Sequence, residues 1–225
     1  MTRIAFILLI ISILLGACAP SPQAFNTSFP SEIDPDARYL FYLHGKIIED
    51  QGLPAISPEY GEYQYHNILK TFAKHDFVII SEEREKDTDG VAYAKAVEQQ
   101  IKDLLEAGVP ARNITVVGAS KGSYIAIFTS YFLKESEVKF VLLGSCSPSE
   151  TQNLIDMNIH LYGNILSIYD FTDPYAGSCN ELFSFSEGKG IDDYNEIVLD
   201  IGTGHGILYQ PLDEWVLPTL NWAKQ

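Results

Sequence analysis

The sequence predicts an α/β protein in which a mostly parallel β-sheet is covered by helices on both faces. Two observations carry this prediction. Short apolar runs alternate with segments of helical periodicity along most of the chain. Those runs are apolar throughout rather than at every second position, which is the pattern of strands buried on both faces.

Each element follows from its own residues. Arg38–Leu43 (Arg-Tyr-Leu-Phe-Tyr-Leu), bounded by Pro35 and Gly45, reads as a buried strand. Ile56–Gly61, set among Pro54, Pro58 and Gly61, reads as loop. Tyr65–Lys74 places Ile68, Leu69 and Phe72 on one helix face. Phe77–Ile80 is a second buried strand, and Glu82–Gly90 a charged loop. Val91–Ala107 has Val91, Ala94, Val97, Ile101, Leu104 and Leu105 on one side, an amphipathic helix stopped by Gly108 and Pro110. Ile114–Val117 is a strand, Lys121–Leu133 a helix and Val138–Leu143 a strand. A helical or irregular stretch around Thr151–Asn158 leads to strand Ile165–Tyr169, and Glu196–Ile201 is the last strand. Leu212–Ala223 closes the chain as a helix broken by Pro218. No internal repeat is visible. Active sites in such sheets lie beyond the carboxyl ends of the strands, so residues that follow a strand are the ones to weigh for chemistry.

The first residues stand apart from this pattern. Thr2 and Arg3 precede an apolar run from Ile4 to Leu15, shorter than the roughly 20 residues a membrane-spanning helix needs. A basic start, an apolar middle and small residues at the end make the layout of a secretory signal. The run closes Leu15-Gly16-Ala17-Cys18, which resembles the lipobox of bacterial lipoproteins. The resemblance implies a signal peptide over residues 1–17, lipidation of Cys18, and a domain anchored to the membrane of a bacterial cell envelope, facing the periplasm or the exterior. The alternative is an ordinary signal cut near Ala19. Residues 18–37 hold Pro20, Pro22, Pro30 and Pro35 among polar residues and read as a tether. Residues 38–225 then form one domain, expected to act as a monomer. The chain has 30 acidic against 15 basic residues and a formal charge of −15. A surface this acidic repels phosphate backbones, which argues against a nucleic-acid partner.

Gly118-Ala119-Ser120-Lys121-Gly122 fits Gly-x-Ser-x-Gly. The β-type residues Ile114, Thr115, Val116 and Val117 precede it, and a helix pattern follows at once. The motif needs this strand–turn–helix setting: a serine on a sharp turn requires small flanking positions, and the following helix directs its amino terminus at the site. The alternative is a tight glycine turn with an ordinary serine. A serine hydroxyl needs a neighbouring base to attack. Of the five histidines, His66 and His75 fall in or beside a surface helix, and His160 precedes a strand, at the wrong end of the sheet. His44 and His205 each follow a strand. His205 lies in Gly202-Thr203-Gly204-His205-Gly206, a flexible turn able to carry an imidazole over Ser120.

With this elbow, a strand ending His44-Gly45 and the chain order Ser, Asp, His, the chain resembles the α/β-hydrolase superfamily from about Arg38 to Ala223. The resemblance implies the α/β-hydrolase fold and a serine hydrolase, esterase-like, acting through an acyl-enzyme on Ser120 with His205 as base. It implies that Gly45 or Lys46 gives one backbone N–H to an oxyanion hole and Lys121 the other, with His44 structural. In many members the strand corresponding to Ile165–Tyr169 leads into Gly-x-x-Asp. Here Asp170 occupies the glycine position and Asp173 the acid position, so Asp173 is expected to orient His205. Asp170 is the alternative, with Asp192 or Asp193 behind it.

The same resemblance sets Cys146 and Cys179 after neighbouring strands. Such strands lie about 4.8 Å apart and a disulfide needs Cα atoms roughly 4.4–6.8 Å apart, so a Cys146–Cys179 bridge is expected; the alternative is two buried thiols. Lids in the family are inserted after the strand that here ends near Leu143, and the short stretch before the next strand leaves no room for a separate lid domain. Gly52–Tyr65, with Tyr60, Tyr63 and Tyr65, is a candidate lining for an open cleft, or simple packing. No metal-ligand spacing, phosphate loop or dinucleotide fingerprint is present, so neither metal nor cofactor is expected. The expected substrate is a small acyl compound, most simply a carboxylic ester. A peptidase or thioesterase on the same residues, or a ligand-binding protein without turnover, remain as alternatives.

Overall fold

The computed structural model describes residues 25–225; the expected signal segment and Cys18 lie outside the described residues. Six strands form one sheet: β1 (Arg38–Leu43), β4 (Phe77–Ile80), β5 (Ile114–Ala119), β6 (Lys139–Leu143), β7 (Gly163–Asp170) and β8 (Ile191–Leu199). Their order is β4-β1-β5-β6-β7-β8, and every neighbouring pair is parallel. A separate two-stranded ladder pairs β2 (Ile56–Ser57) with β3 (Gly61–Glu62).

Side chains of a strand alternate between the two faces of its sheet, and both faces here are covered. Tyr39, Phe41 and Leu43 of β1 and Ile114 and Val116 of β5 pack with α3 (Gly90–Glu106) and α4 (Lys121–Leu133). Leu40 and Tyr42 of β1 and Val117 and Ala119 of β5 pack with α2 (Tyr65–Ala73) and α7 (Asp213–Ala223). This is why the central strands are apolar at every position. Helix α3 buries Ala94, Val97, Ile101 and Leu104. It starts where Asp89 accepts the N–H groups of Val91 and Ala92, both at 2.9 Å, a cap whose loss costs about 0.5–2 kcal/mol. Helix α4, between the sheet and α3, is buried on nearly all sides.

The fold departs from the sequence expectation in several places. The stretch Ile56–Gly61 is not plain loop, since Ile56 pairs with Glu62 and Ser57 with Gly61. Helix α7 is not broken by Pro218 but runs through it. The hydrogen bond that Pro218 cannot make would go to the carbonyl of Glu214, an exposed residue. Strand β8 begins at Ile191, ahead of the expected start at Glu196, and ends at Leu199. It is an edge strand with exposed Asp193, Tyr194 and Asn195, so it lacks the apolar run of a central strand. Two short helices, α1 (Lys46–Gln51) and α6 (Asn180–Ser186), give too few residues for a periodic signal; α5 (Pro148–Asp156) fills the expected stretch before β7. Along the other sheet edge, Asn26 N–H donates to Ile79 O at 2.9 Å and Ser81 N–H to Asn26 O at 3.0 Å, so residue 26 of the expected tether adjoins β4.

Cys146 and Cys179 form a disulfide with Cα atoms 5.2 Å apart and a sequence separation of 33. It joins the turn after β6 to the segment after β7, as adjacency of those strands requires. In the chain-entropy account a loop of that length is worth about 3–4 kcal/mol. The double variant Cys146→Ser/Cys179→Ser should therefore unfold at a clearly lower urea concentration than the oxidised protein, and adding reductant should no longer shift its midpoint. A midpoint equal to that of the oxidised parent would contradict this assignment.

Candidate active site

Ser120 stands between the last residue of β5 and the first of α4, with φ 53° and ψ −118°. A residue with a β-carbon adopts positive φ only when its surroundings enforce it. Here Ser120 N–H donates to Leu143 O at 2.9 Å, and Ser123 N–H to Ser120 O at 2.8 Å. The buried hydroxyl of Ser123 lies 2.8 Å from Gly118 O and 2.9 Å from Leu143 O. The two glycines of the motif are required by space. A β-carbon on Gly118 would fall 2.4 Å from Gly122 O, and one on Gly122 only 1.8 Å from Leu43 O.

Asp173 and His205 form the second part of the site. Asp173 follows β7, and its buried carboxylate accepts Tyr175 N–H on Oδ1 at 2.8 Å. Its Oδ2 lies 2.7 Å from His205 Nδ1. A carboxylate accepts, so the imidazole proton sits on Nδ1 and a neutral ring presents Nε2 as its basic nitrogen. The turn that carries His205 is more regular than the sequence suggests: residues Gly204–Tyr209 form a 3₁₀ helix, with Gly204 at φ 53°. Tyr175 packs edge-on against the His205 ring at 5.4 Å between centroids. A β-carbon on Gly144 would lie 3.2 Å from His205 Cε1, so the turn after β6 also supports the ring.

The competing carboxylates lie elsewhere. Asp170 Oδ1 accepts the N–H of Thr172 at 2.8 Å and its hydroxyl at 2.5 Å, and Oδ2 accepts Ile201 N–H at 3.2 Å. Burial by itself would raise its pKa, but the hydrogen bonds from Thr172 and Ile201 outweigh burial and hold it below its ordinary value. Asp170 thus shapes the loop: its carbonyl accepts Asp173 N–H at 2.9 Å. Asp192 and Asp193 belong to edge strand β8, and Asp193 is exposed.

Gly45, Lys46, Ile47, Tyr63, Ser120, His205, Leu208 and Tyr209 line one cavity of about 180 Å³. A β-carbon on Gly45 would be 3.7 Å from Ser120 Cβ. Lys46 opens α1 and Lys121 opens α4, and the N–H groups of a first helical turn have no acceptor within their helix. Of the three tyrosines, Tyr63 lines the cavity, its hydroxyl 2.6 Å from that of Tyr42. Tyr60 packs against Tyr209 at 5.3 Å. Tyr65 turns into the core and meets Ser81 Oγ at 2.7 Å.

His44 is fully buried, and both of its ring nitrogens are engaged. Its Nε2 accepts Arg84 N–H at 2.9 Å, so its proton is on Nδ1, which donates to Gly45 O at 2.9 Å. Burial, and next the positive charge of Arg84, lower its pKa to about 3, so it stays neutral. Arg84, Glu49 and the ammonium of Lys121 join this group. Nothing in the sequence marks Glu49 or Arg84, because each is one charge among many and only the fold buries them. Among the described residues no group of three or more His, Cys, Asp or Glu side chains is placed to hold a metal ion.

No family model matches the chain, and no curated protein matches it in sequence. Solved structures do match in shape. Arabidopsis thaliana SOBER1 superposes with a TM-score of 0.57 at 13% identity, over 84% of this chain and 98% of that one. A Pyrococcus furiosus esterase gives 0.57 at 15% identity, over 85% and 84%. The RedJ thioesterase of Streptomyces coelicolor gives 0.51 at 13% identity, over 96% and 97%. The chain has the α/β-hydrolase fold.

Because the folded pKa of Asp170 is depressed, its contribution to stability is fully present above its unfolded value, about 3.9, and is lost as pH falls through the lower folded value. Asp170→Asn should therefore be less stable than the parent at neutral pH, and the difference should shrink below about pH 4. Urea unfolding at a series of pH values measures it; a gap that stays constant down to about pH 2 would count against this account.

Proposed function

We propose that the protein is a serine hydrolase that cleaves a carboxylic ester or a related acyl bond through an acyl-enzyme on Ser120. The observation that carries the proposal is the cavity shared by Ser120 and His205, with His205 held by a buried Asp173 at 2.7 Å. In this reading His205 Nε2 takes the hydroxyl proton as Ser120 Oγ attacks the carbonyl carbon. The oxyanion is received by the main-chain N–H of Lys121 and by that of Gly45 or Lys46. One such donor is commonly worth about 3 kcal/mol. The imidazolium then gives its proton to the departing alcohol, and a water molecule, deprotonated in the same way, releases the acid and restores Ser120. The names of structural neighbours as an esterase and a thioesterase agree with acyl transfer.

The size of the cavity favours short acyl chains. Pockets for drug-sized ligands run to roughly 300–1,000 Å³, against about 180 Å³ here. Tyr63, buried and tied to Tyr42, stands at its wall. The lipobox-like Cys18 places the enzyme on an envelope membrane in this reading, and metabolic labelling with an azido fatty acid, lost in Cys18→Ala, tests that part.

A fluorophosphonate should label the protein and fail to label Ser120→Ala. Asp173→Asn should lower kcat by about 10⁴-fold, and Asp170→Asn far less. Absence of labelling in the parent protein would refute the hydrolase and favour a binding protein. Among p-nitrophenyl esters, acetate to butyrate should give the highest kcat/KM, and Tyr63→Ala should shift the optimum to longer chains. A parent preference for octanoate or longer would overturn the short-chain assignment.

A further inference from the structure

Behind the proposed oxyanion donors lies a buried ionic cluster that the reaction steps do not use. The side chains of Glu49 and Arg84 have no exposed surface. Arg84 Nε donates to Glu49 Oε1 at 2.7 Å, and its Nη2 donates to His44 O. Lys121 Nζ donates to the second carboxylate oxygen, Glu49 Oε2, and to Thr88 O at 2.7 Å. One carboxylate therefore holds two cations. The first belongs to the residue directly after Ser120. The second grips the main chain directly before Gly45.

Glu49 lies on α1, one turn after Lys46, and Lys121 is the first residue of α4. Their ion pair is thus a strut between the two segments that supply the proposed oxyanion donors. Those donors are backbone, so no substitution deletes them, but their separation depends on what holds the two segments. Donors act when they sit about 2.7–3.1 Å from the forming oxyanion, and a misplacement near 1 Å can cost on the order of 100-fold in rate. A buried ion pair is a poor device for stability alone, because desolvation offsets much of the attraction. Its location between the two donors gives it a geometric use.

We propose that Glu49 and Lys121 are positioning residues whose ion pair sets the width of the oxyanion hole. The proposal rests on the serine-hydrolase reading. Lys121→Met keeps the backbone N–H and the aliphatic stem but removes the ammonium. Glu49→Gln keeps the shape and an acceptor for Arg84 but removes the charge. Each should lower kcat at least about tenfold while KM stays within about twofold. The double variant should be no worse than the poorer single one, the signature of a shared interaction. Affinity for a short alkyl boronic acid, which mimics the tetrahedral state, should fall by the same factor as kcat. Lys121→Arg should recover most of the rate.

Lys121 is at the partly exposed end of the pair, so Lys121→Met decides the matter even where Glu49→Gln does not fold. If Lys121→Met has the parent's circular dichroism and melting temperature and also its kcat, the positioning role is overturned. An equal loss in Lys121→Arg overturns it as well, and in both cases the hydrolase reading survives. If the parent protein neither reacts with fluorophosphonate nor turns over any ester, the underlying reading fails first, and the positioning role falls with it.

Discussion

The site depends on how closely the backbone of α4 crosses the carboxyl end of β1. At that crossing there is room for a hydrogen on Gly122 and for nothing larger, since a β-carbon would fall 1.8 Å from Leu43 O. Interiors are close-packed and do not deform cheaply to admit a methyl group between two main chains. The crossing forces the chain to turn sharply after Ala119 and holds Ser120 at positive φ. It also brings the residues that follow Leu43, which are His44, Gly45 and Lys46, against the elbow. Ser120, the proposed nucleophile, and the proposed oxyanion donors are thus set by one backbone contact between elements far apart in the chain, beside the point where Leu43 and Gly118 pair in the sheet.

A second layer of interactions keeps that contact in register. His44 is held neutral by burial and by the guanidinium beside it, with a pKa of about 3. It accepts from Arg84 N–H and donates to Gly45 O. A neutral ring can do both at once; a protonated one would lose its acceptor. Protonation would also place a second cation against Arg84. The arrangement is therefore insensitive to pH across the neutral range. On the other side of the serine, the disulfide and the Asp170 turn fix the segment that carries Asp173. Gly177 N–H donates to Ser145 O at 2.9 Å in the same region, so the loops after β6 and β7 form one support for the His205 pair.

Much of this is legible in the residues. The central strands and the long helices are readable because burial on two faces, or on one stripe, leaves a periodic record in the chain. Ser120, His205 and the pair Asp170 and Asp173 are readable as candidates because each follows a strand at the end of the sheet where sites form. What is hidden has a common cause. Strand β8 lies at an edge and carries polar residues, so its pattern is mixed. Helices α1 and α6 are about two turns or shorter, and α7 runs through Pro218, whose missing hydrogen bond would go to exposed Glu214. Arg84 lies in a segment that reads as a charged loop and Glu49 in a stretch without a periodic signal, and no local pattern marks a charge for burial.

The sequence by itself determined the class of fold, the strand–turn–helix that carries Ser120 and the set of carboxylates competing for His205. Those follow from short-range rules: periodicity, steric limits of glycine turns and the order of elements. Only the tertiary structure decided that Asp173, rather than Asp170, touches the imidazole, that Cys146 and Cys179 lie within bonding reach, and that Glu49 joins Lys121 to Arg84 under the elbow. Each of these turns on distances of a few ångströms between residues well separated in the chain. Such distances are set by how the layers pack, and packing is a property of the whole core rather than of any stretch of chain.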